Sequence, residues 1–460
     1  MKTRYASRWA FFAAAIGAVV LMAGVFVARS LQPRYQDSLI NRLPSFLRPA
    51  ARSLILPDYP EVVPTPAAQI TVDASKLLAP HQTKTPSPSP TPMPSLIPTP
   101  TLTPQRAEQQ TGRPGPTENP TQTSPMAQPT LTPVIPPGPT QAARSTPASL
   151  ESTDVMLAGF RHIYQTWNNC GPATLSMNLS FYGWGGGQAD AAKYLKPDPE
   201  DKNVSPHEMA AFARSLGFEA VTRVGGSMPL VKEFLRAGIP VLIEKGFEPD
   251  PQAGWQGHYE LIVGYDDSMN AFIAMDSYTG PNQSVPYDTL DWYWSHFNRT
   301  FIIAHTPDQA GTVMQMLGVD ADPAQNLTGA LATAQAEAAA DPSNPFAWFN
   351  VGSNFAALGD YESAAAAYDQ ARSLGLPWRM TWYQFGIFEA YYRTGRFDDV
   401  LALADATLAT TPYVEELWYY RGLVRQARGE PDAAREQFRQ ALHYNPNFTA
   451  AADALAALGQ

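Results

Sequence analysis

Apolar residues recur along this chain in several distinct patterns. From Trp9 to Ala28 twenty residues run without a charge, about 30 Å as a helix and close to one bilayer core. Leu175, Leu179 and Tyr182 fall at i, i+4 and i+7, which predicts a helix opening near Cys170 with Pro172 in its first turn. Gly257–Tyr265 and Asn270–Asp276 are runs of strand length joined by Asp266-Asp267-Ser268-Met269, the pattern of a hairpin. Towards the C-terminus a longer period takes over. Gly359-Asp360-Tyr361, Gly395-Arg396-Phe397 and Gly429-Glu430-Pro431 recur at intervals of 36 and 34 residues. Each is followed by matched residues, Ala364, Tyr368 and Ala371, then Val400, Ala404 and Thr407, then Ala434, Phe438 and Ala441.

Composition divides the 460 residues further. Nineteen of the 44 prolines lie between Pro80 and Pro147, a stretch that favours solvated polyproline II over a packed core. The expected organisation is a short tail (1–8), a membrane anchor (9–28), a Pro/Ser/Thr-rich disordered linker (29–150), an α+β domain (151–308), a connecting helical segment (309–343) and helical repeats (344–460). A signal peptide needs small residues at its cleavage site, and Phe26-Val27-Ala28 does not supply them. A span followed by a Ser/Thr/Pro stalk suggests a cell-membrane protein whose globular part lies outside. The net charge of −10 argues against nucleic acid, whose binding needs basic patches. The single cysteine rules out an intrachain disulfide.

That cysteine carries the candidate chemistry. Cys170 sits where the helix begins, after Asn168-Asn169 and before Gly171-Pro172, and the positive end of a helix dipole favours thiolate over thiol. A nucleophilic thiol needs a base. His258 lies on the first strand of the hairpin, and a hairpin symmetric about Asp267 sets it directly opposite Asp276, close enough for the carboxylate to orient the imidazole. His207 falls in a capping box, Ser205-Pro206-His207-Glu208. His162, His296 and His305 have no carboxylate at strand-pair spacing. Trp255, Trp292, Tyr293 and Trp294 read as packing residues before cleft residues. Asp198, Glu200 and Asp201 read as a solvated acidic turn, and Gly185-Gly186-Gly187 as a plain turn. No pattern calls for a metal or cofactor.

Residues 151–308 resemble the papain-fold cysteine peptidases related to the bacteriocin-leader, double-glycine ("thirty-nine-like") peptidases. Gln165, Cys170-Gly171-Pro172-Ala173, Gly257-His258-Tyr259, Gly264-Tyr265-Asp266 and Asp276 match that family's pattern. Met228–Gly238 and Ile239–Ile243 fit the helix and strand leading to the histidine. The resemblance implies Cys170 as nucleophile, His258 as base, Asp276 as its orienting group and Gln165 as an oxyanion donor with the Cys170 backbone N–H. Gln165 stands five residues before the cysteine, where the family usually has six. Asn168 and Asn169 are therefore alternative donors. No transporter follows the domain, so the double-glycine substrate is not carried over.

The C-terminal period resembles the tetratricopeptide repeat, with Pro377, Pro412 and Pro446 closing three units. Trp348 with Gly352 and Trp418 with Gly422 mark the first helices of the outer units, and the middle unit is less regular. Ala332–Ala340 suggests part of a preceding unit and Phe448–Leu458 a cap. The reading that joins these features is a membrane-anchored cysteine peptidase acting on a peptide or protein, with repeats that bind a protein partner. The alternatives are a non-catalytic peptide-binding scaffold, or an amidase or acyl transferase acting on cell-wall or isopeptide substrates.

Overall fold

The computed structural model describes residues 22–31, 33–56, 60–66, 74–79, 154–249 and 253–459. Its mixed α/β domain opens with β1 (Asp154–Met156), α1 (Cys170–Phe181), α2 (Gln188–Leu195), α3 (Pro206–Ser215), β2 (Glu219–Arg223) and α4 (Met228–Arg236). It continues with β3 (Val241–Phe247), β4 (Gln256–Asp266), β5 (Ala271–Asp276), β6 (Gly280–Pro286), α5 (Tyr287–Ser295) and β7 (Phe301–His305). The strands form one sheet in the order β2-β7-β3-β4-β5-β6, with β1 paired to β4, and every pairing is antiparallel.

Local chemistry starts the helices where the sequence marks them. Ser205 and Glu208 exchange the two hydrogen bonds of a capping box at α3, and Ser227 caps α4. One face of the sheet packs on α1, α2 and α3 through Leu175, Leu179, Met209, Leu261 and Val263. The other packs on α4 and α5 through Phe234, Ile262, Leu290, Trp294 and Ile303. Helix α1 is buried continuously from Gly171 to Leu179. The expected stripe is thus only part of a helix enclosed on all sides, and its rigid core position fixes Cys170 at its N-terminus.

A connecting helix α6 (Ala310–Leu317) leads to α7 (Pro323–Ala340), which extends well upstream of the expected Ala332–Ala340. The repeats follow as α8 (Pro345–Ala357) with α9 (Tyr361–Leu374), α10 (Gly386–Arg393) with α11 (Phe397–Leu408), and α12 (Glu415–Ala427) with α13 (Pro431–Tyr444). Helix α14 (Thr449–Ala457) closes the array. The recurring glycines have a conformational cause. Gly359, Gly395 and Gly429 turn the chain between paired helices with φ of 82°, 73° and 75°, a region that favours glycine. Gly352 and Gly422 serve close packing: a Cβ there would meet the Tyr368 ring at 2.8 Å and the Phe438 ring at 2.4 Å.

Of two expectations upstream, one falls largely outside the described residues and one changes. Residues 9–21 of the expected anchor lie outside the described residues; residues 22–29 are helical, and no described helix is long and apolar enough to cross a membrane. The expected linker 29–150 is not uniformly unstructured. Pro33–Asn41, Arg48–Ile55 and Ala74–Leu77 are helical. Val62 bridges Pro377, Val63 N–H donates to Leu376 O, and Arg372 donates to Pro64 O at 2.8 Å. Gln335 on α7 donates to Leu77 O at 2.7 Å and to Ala79 O at 3.0 Å. Val63 and Leu77 are buried against the repeats, and this apolar contact outweighs the local proline signal. Most of the Pro-rich part, residues 80–152, lies outside the described residues.

Candidate active site

Cys170 is the first residue of α1, with Asn169 as N-cap. The preceding turn is tight: Asn168 has φ of 53°, and Asn169 N–H donates to Thr166 O. Asparagine tolerates this left-handed conformation better than most side chains. Gly171 has van der Waals neighbours in Met209, Tyr259 and Val204, each 3.4 Å from the position of an added Cβ. The thiol therefore opens from a packed helix end.

His258 and Asp276 meet, though by a different register from the symmetric hairpin. Tyr265 pairs with Phe272 and Gly264 with Ile273; then the ladder shifts, and Ile262 pairs with Ala274 and Leu261 with Met275. Val263 is the extra residue of a bulge. Without it the ladder would carry Asp276 opposite Leu261, on the face away from His258. The bulge flips that parity, as a single extra residue must. Asp276 then falls level with Glu260, diagonal to His258, and His258 Nε2 lies 3.0 Å from Asp276 Oδ2. The other carboxylate oxygen accepts from the amides of Tyr278 (2.6 Å) and Thr279 (2.8 Å). Phe247 stacks on the imidazole at 4.5 Å. Nε2 is engaged there, and the Cys170 thiol lines the same crevice as the imidazole.

The electrostatics follow from this chain of contacts. Burial raises the pKa of the Cys170 thiol, but the His258 hydrogen bond and charge, with the Tyr259 backbone, outweigh it and leave it below the ordinary value. Burial would depress His258; the Asp276 charge and hydrogen bond, joined by Cys170, hold it up to about 9. Burial would raise Asp276; His258 and the two amides keep it well below the usual carboxylate range. Between the two titrations the site holds a thiolate–imidazolium pair.

Asn168, Cys170, Lys202, Glu244, His258 and Tyr383 are among the residues lining the crevice beside the thiol. Gln165 is not among them. Its Oε1 accepts from Ser277 Oγ at 2.8 Å, beside Asp276. Asn169 turns its amide to Thr166 Oγ1 (2.9 Å) and Gln188 Oε1 (3.3 Å). Of the two alternative donors, only Asn168 faces the crevice.

Sequence reasoning did not single out Glu244. Glu244 is buried in the crevice that Cys170 lines, and burial pushes its carboxyl well above the usual range, which favours the neutral form. Glu244→Gln is thus expected to leave Cys170 alkylation within about twofold and stability within about 1 kcal/mol. A large acceleration at fixed pH would show instead that an ionised carboxylate had been opposing the thiolate.

The acidic turn is a second correction. Glu200 and Asp201 are buried, not solvated. Burial raises Asp201 against the pull of Lys196, and Asn203 beside it donates to Glu416 on α12 at 3.1 Å. The remaining histidines have structural places. His162 Nε2 meets Asp276 O at 2.9 Å, and His296 accepts from Trp255 Nε1 at 3.0 Å while stacking on Phe346 at 3.6 Å. Trp255 and Trp294 are buried packing residues, and neither they nor Trp292 and Tyr293 line the crevice. No group of three or more His, Cys, Asp or Glu side chains among the described residues is arranged to hold a metal ion.

A mixed α/β domain with a helix-terminal thiol beside a carboxylate-bound imidazole, followed by helical repeats, is the class this architecture defines. Residues 157–304 match the Peptidase_C39 like family and residues 415–448 match the tetratricopeptide repeat. The chain is therefore a fusion of a Peptidase_C39-like domain with a tetratricopeptide-repeat module. Among solved structures it is similar to a putative C39-like peptidase from Bacillus anthracis, with 17% identity over 33% of this chain and 96% of that one and a TM-score of 0.28. A double glycine motif protease from an AMS/PCAT transporter, in complex with the leader peptide, shares 18% identity over 33% of this chain and 98% of its own, with a TM-score of 0.25. MamA shares 18% identity over 29% of this chain and 77% of its own, with a TM-score of 0.26. No curated protein matches the sequence.

Proposed function

We propose that the chain is a cysteine peptidase in which Cys170, His258 and Asp276 form the catalytic triad. The observation that carries this reading is the only thiol of the chain, lining one crevice with an imidazole whose Nε2 lies 3.0 Å from a buried carboxylate. The Cys170 thiolate attacks the scissile carbonyl carbon, and His258 passes its proton to the leaving amine as the C–N bond breaks. Neutral His258 then takes a proton from water, whose oxygen attacks the thioester. The acid is released and the thiolate–imidazolium pair returns. Asp276 holds the imidazole in place and stabilises its charge. The helix terminus and the Cys170 N–H serve the oxyanion, with Gln165 as partner once substrate enters, its carbonyl already held by Ser277. The repeats bind a protein partner, and residues 9–28 hold the chain at the cell membrane with its globular part outside. The uncharged run and the Pro-rich stretch support that placement.

Cys170→Ala is expected to lower hydrolysis of a peptide library by at least about a thousandfold. Hydrolysis undiminished in that variant would sink the reading. Faster turnover of cell-wall fragments than of peptides would redirect it to an amidase with the same nucleophile.

A further inference from the structure

The middle repeat departs from its neighbours where it meets the peptidase-like domain. In the outer units the first helix begins seven residues before its packing glycine: α8 at Pro345 before Gly352, and α12 at Glu415 before Gly422. The middle unit keeps the marker pair, Trp382 four residues before Gly386, as Trp348 and Trp418 stand before theirs. Yet α10 begins only at Gly386, and the two missing turns are replaced by a 3₁₀ segment, Trp378–Trp382. The indole hydrogen bonds record the change. Trp348 and Trp418 donate to the carbonyls of Pro342 and Pro412, six residues back, whereas Trp382 donates to Thr410 Oγ1. The start of the segment is held extended by the Val62–Pro377 bridge and by Trp378 N–H donating to Glu61 O.

Unwinding redirects one side chain. The residue three before the glycine is Phe349 or Tyr419 in the outer units, and both are buried inside the repeats. In the middle unit it is Tyr383, which lines the crevice beside Cys170 and His258. A Cβ on Gly257 would meet the Phe297 ring at 2.9 Å and the Tyr383 ring at 3.1 Å, so the two rings together crowd the position before His258. Flanking contacts latch the segment down. Arg379 donates to Ala253 O at 2.6 Å and Trp255 O at 3.0 Å, and Gln384 donates to His296 O at 3.1 Å.

From this geometry we infer that the repeat module builds part of the catalytic crevice, with Tyr383 as a positioning residue that forms one wall and limits the size of group reaching the Cys170 thiol. The inference deepens the peptidase reading and rests on it for what enters the crevice, while the wall can be tested without turnover. Cys170 is the only cysteine, so alkylation of the full-length chain reports this site alone. Iodoacetamide is the small probe and fluorescein maleimide the bulky one. Tyr383→Ala is expected to raise the bulky-to-small rate ratio roughly tenfold, the low end of what pocket size discriminates. Tyr383→Phe keeps the ring and should keep the ratio. Arg379→Ala removes the latch and should raise the ratio in the same direction. It decides the question if Tyr383→Ala does not fold. A ratio within about twofold of the unmodified chain in the folded variant overturns the inference, because a wall of this bulk must discriminate. A thiol inert to iodoacetamide at pH 6 would sink the peptidase reading instead, and the ratio at pH 9 would still decide the wall.

Discussion

His258→Ala slows alkylation of Cys170 at pH 6 by about 10- to 100-fold. The arithmetic starts from an ordinary thiol near ~8.5, which is only about 0.3% ionised at pH 6. In the native site the imidazolium holds the thiol below its ordinary value against burial. Removing the ring leaves burial, which favours the neutral thiol. A low-pKa thiolate is intrinsically a weaker nucleophile, which trims the expected loss from the full ionisation ratio. The pH profile supplies the second half of the result. In the intact chain the reactive pair persists upward until His258 loses its proton at about 9. Above that pH the native thiol loses its advantage, and the His258→Ala profile should close on it as its own buried thiol ionises. Profiles that already coincide at pH 6 would exclude an activated thiol.

Asp276→Ala should be the most destabilising single change at the site, by about 3–5 kcal/mol near pH 6, the usual cost of orphaning a buried charge. Both members of the pair are buried. The sign with pH follows from the two shifts. His258 is raised in the folded chain, so its contribution is complete below its unfolded value near ~6.5 and fades as pH rises through about 9. Asp276 is depressed, so its contribution is present above the unfolded value near ~3.9 and fades at lower pH as the folded carboxylate takes up its proton. The difference in unfolding free energy between native chain and variant should therefore peak between about pH 4 and 6.5 and shrink above about 9. Chemical denaturation at pH 6 and pH 10 measures it. An equal difference at both would mean that Asp276 matters through its backbone amide contacts and not through the imidazolium.

How much of this was legible in the sequence depends on the range of each interaction. Cys170 could be placed at a helix start because Asn-Asn before it and Gly-Pro after it are local signals. His258 could be placed on a strand because its neighbours are apolar at strand length. Asp276 was reached through a symmetric hairpin that does not exist; two-residue periodicity cannot show that Val263 is extra. The acidic turn misled for a related reason. Charged residues usually face water, but here the repeat helix α12 covers the loop, from more than two hundred residues away. Tyr383 matches core aromatics of the flanking units by position. Nothing local signals that the helix before Gly386 is unwound. That follows from the bridge to Val62 and from contacts with Ala253, Trp255 and His296, all distant in sequence.

The docking of residues 60–66 and 74–79 on the repeats changes the mechanics of attachment. Read as one tether, residues 29–150 would give the globular body 122 residues of slack from an anchor ending at Ala28. With Val63 and Leu77 seated on the repeats, the pull of such an anchor would be transmitted through residues 29–59 alone, 31 residues, part of them coiled into helices. Ala79 and β1, the described residues that flank 80–153, both belong to that same body. Lengthening that proline-rich span should not extend the protein's reach from its attachment point. Substitutions that unseat Val63 should.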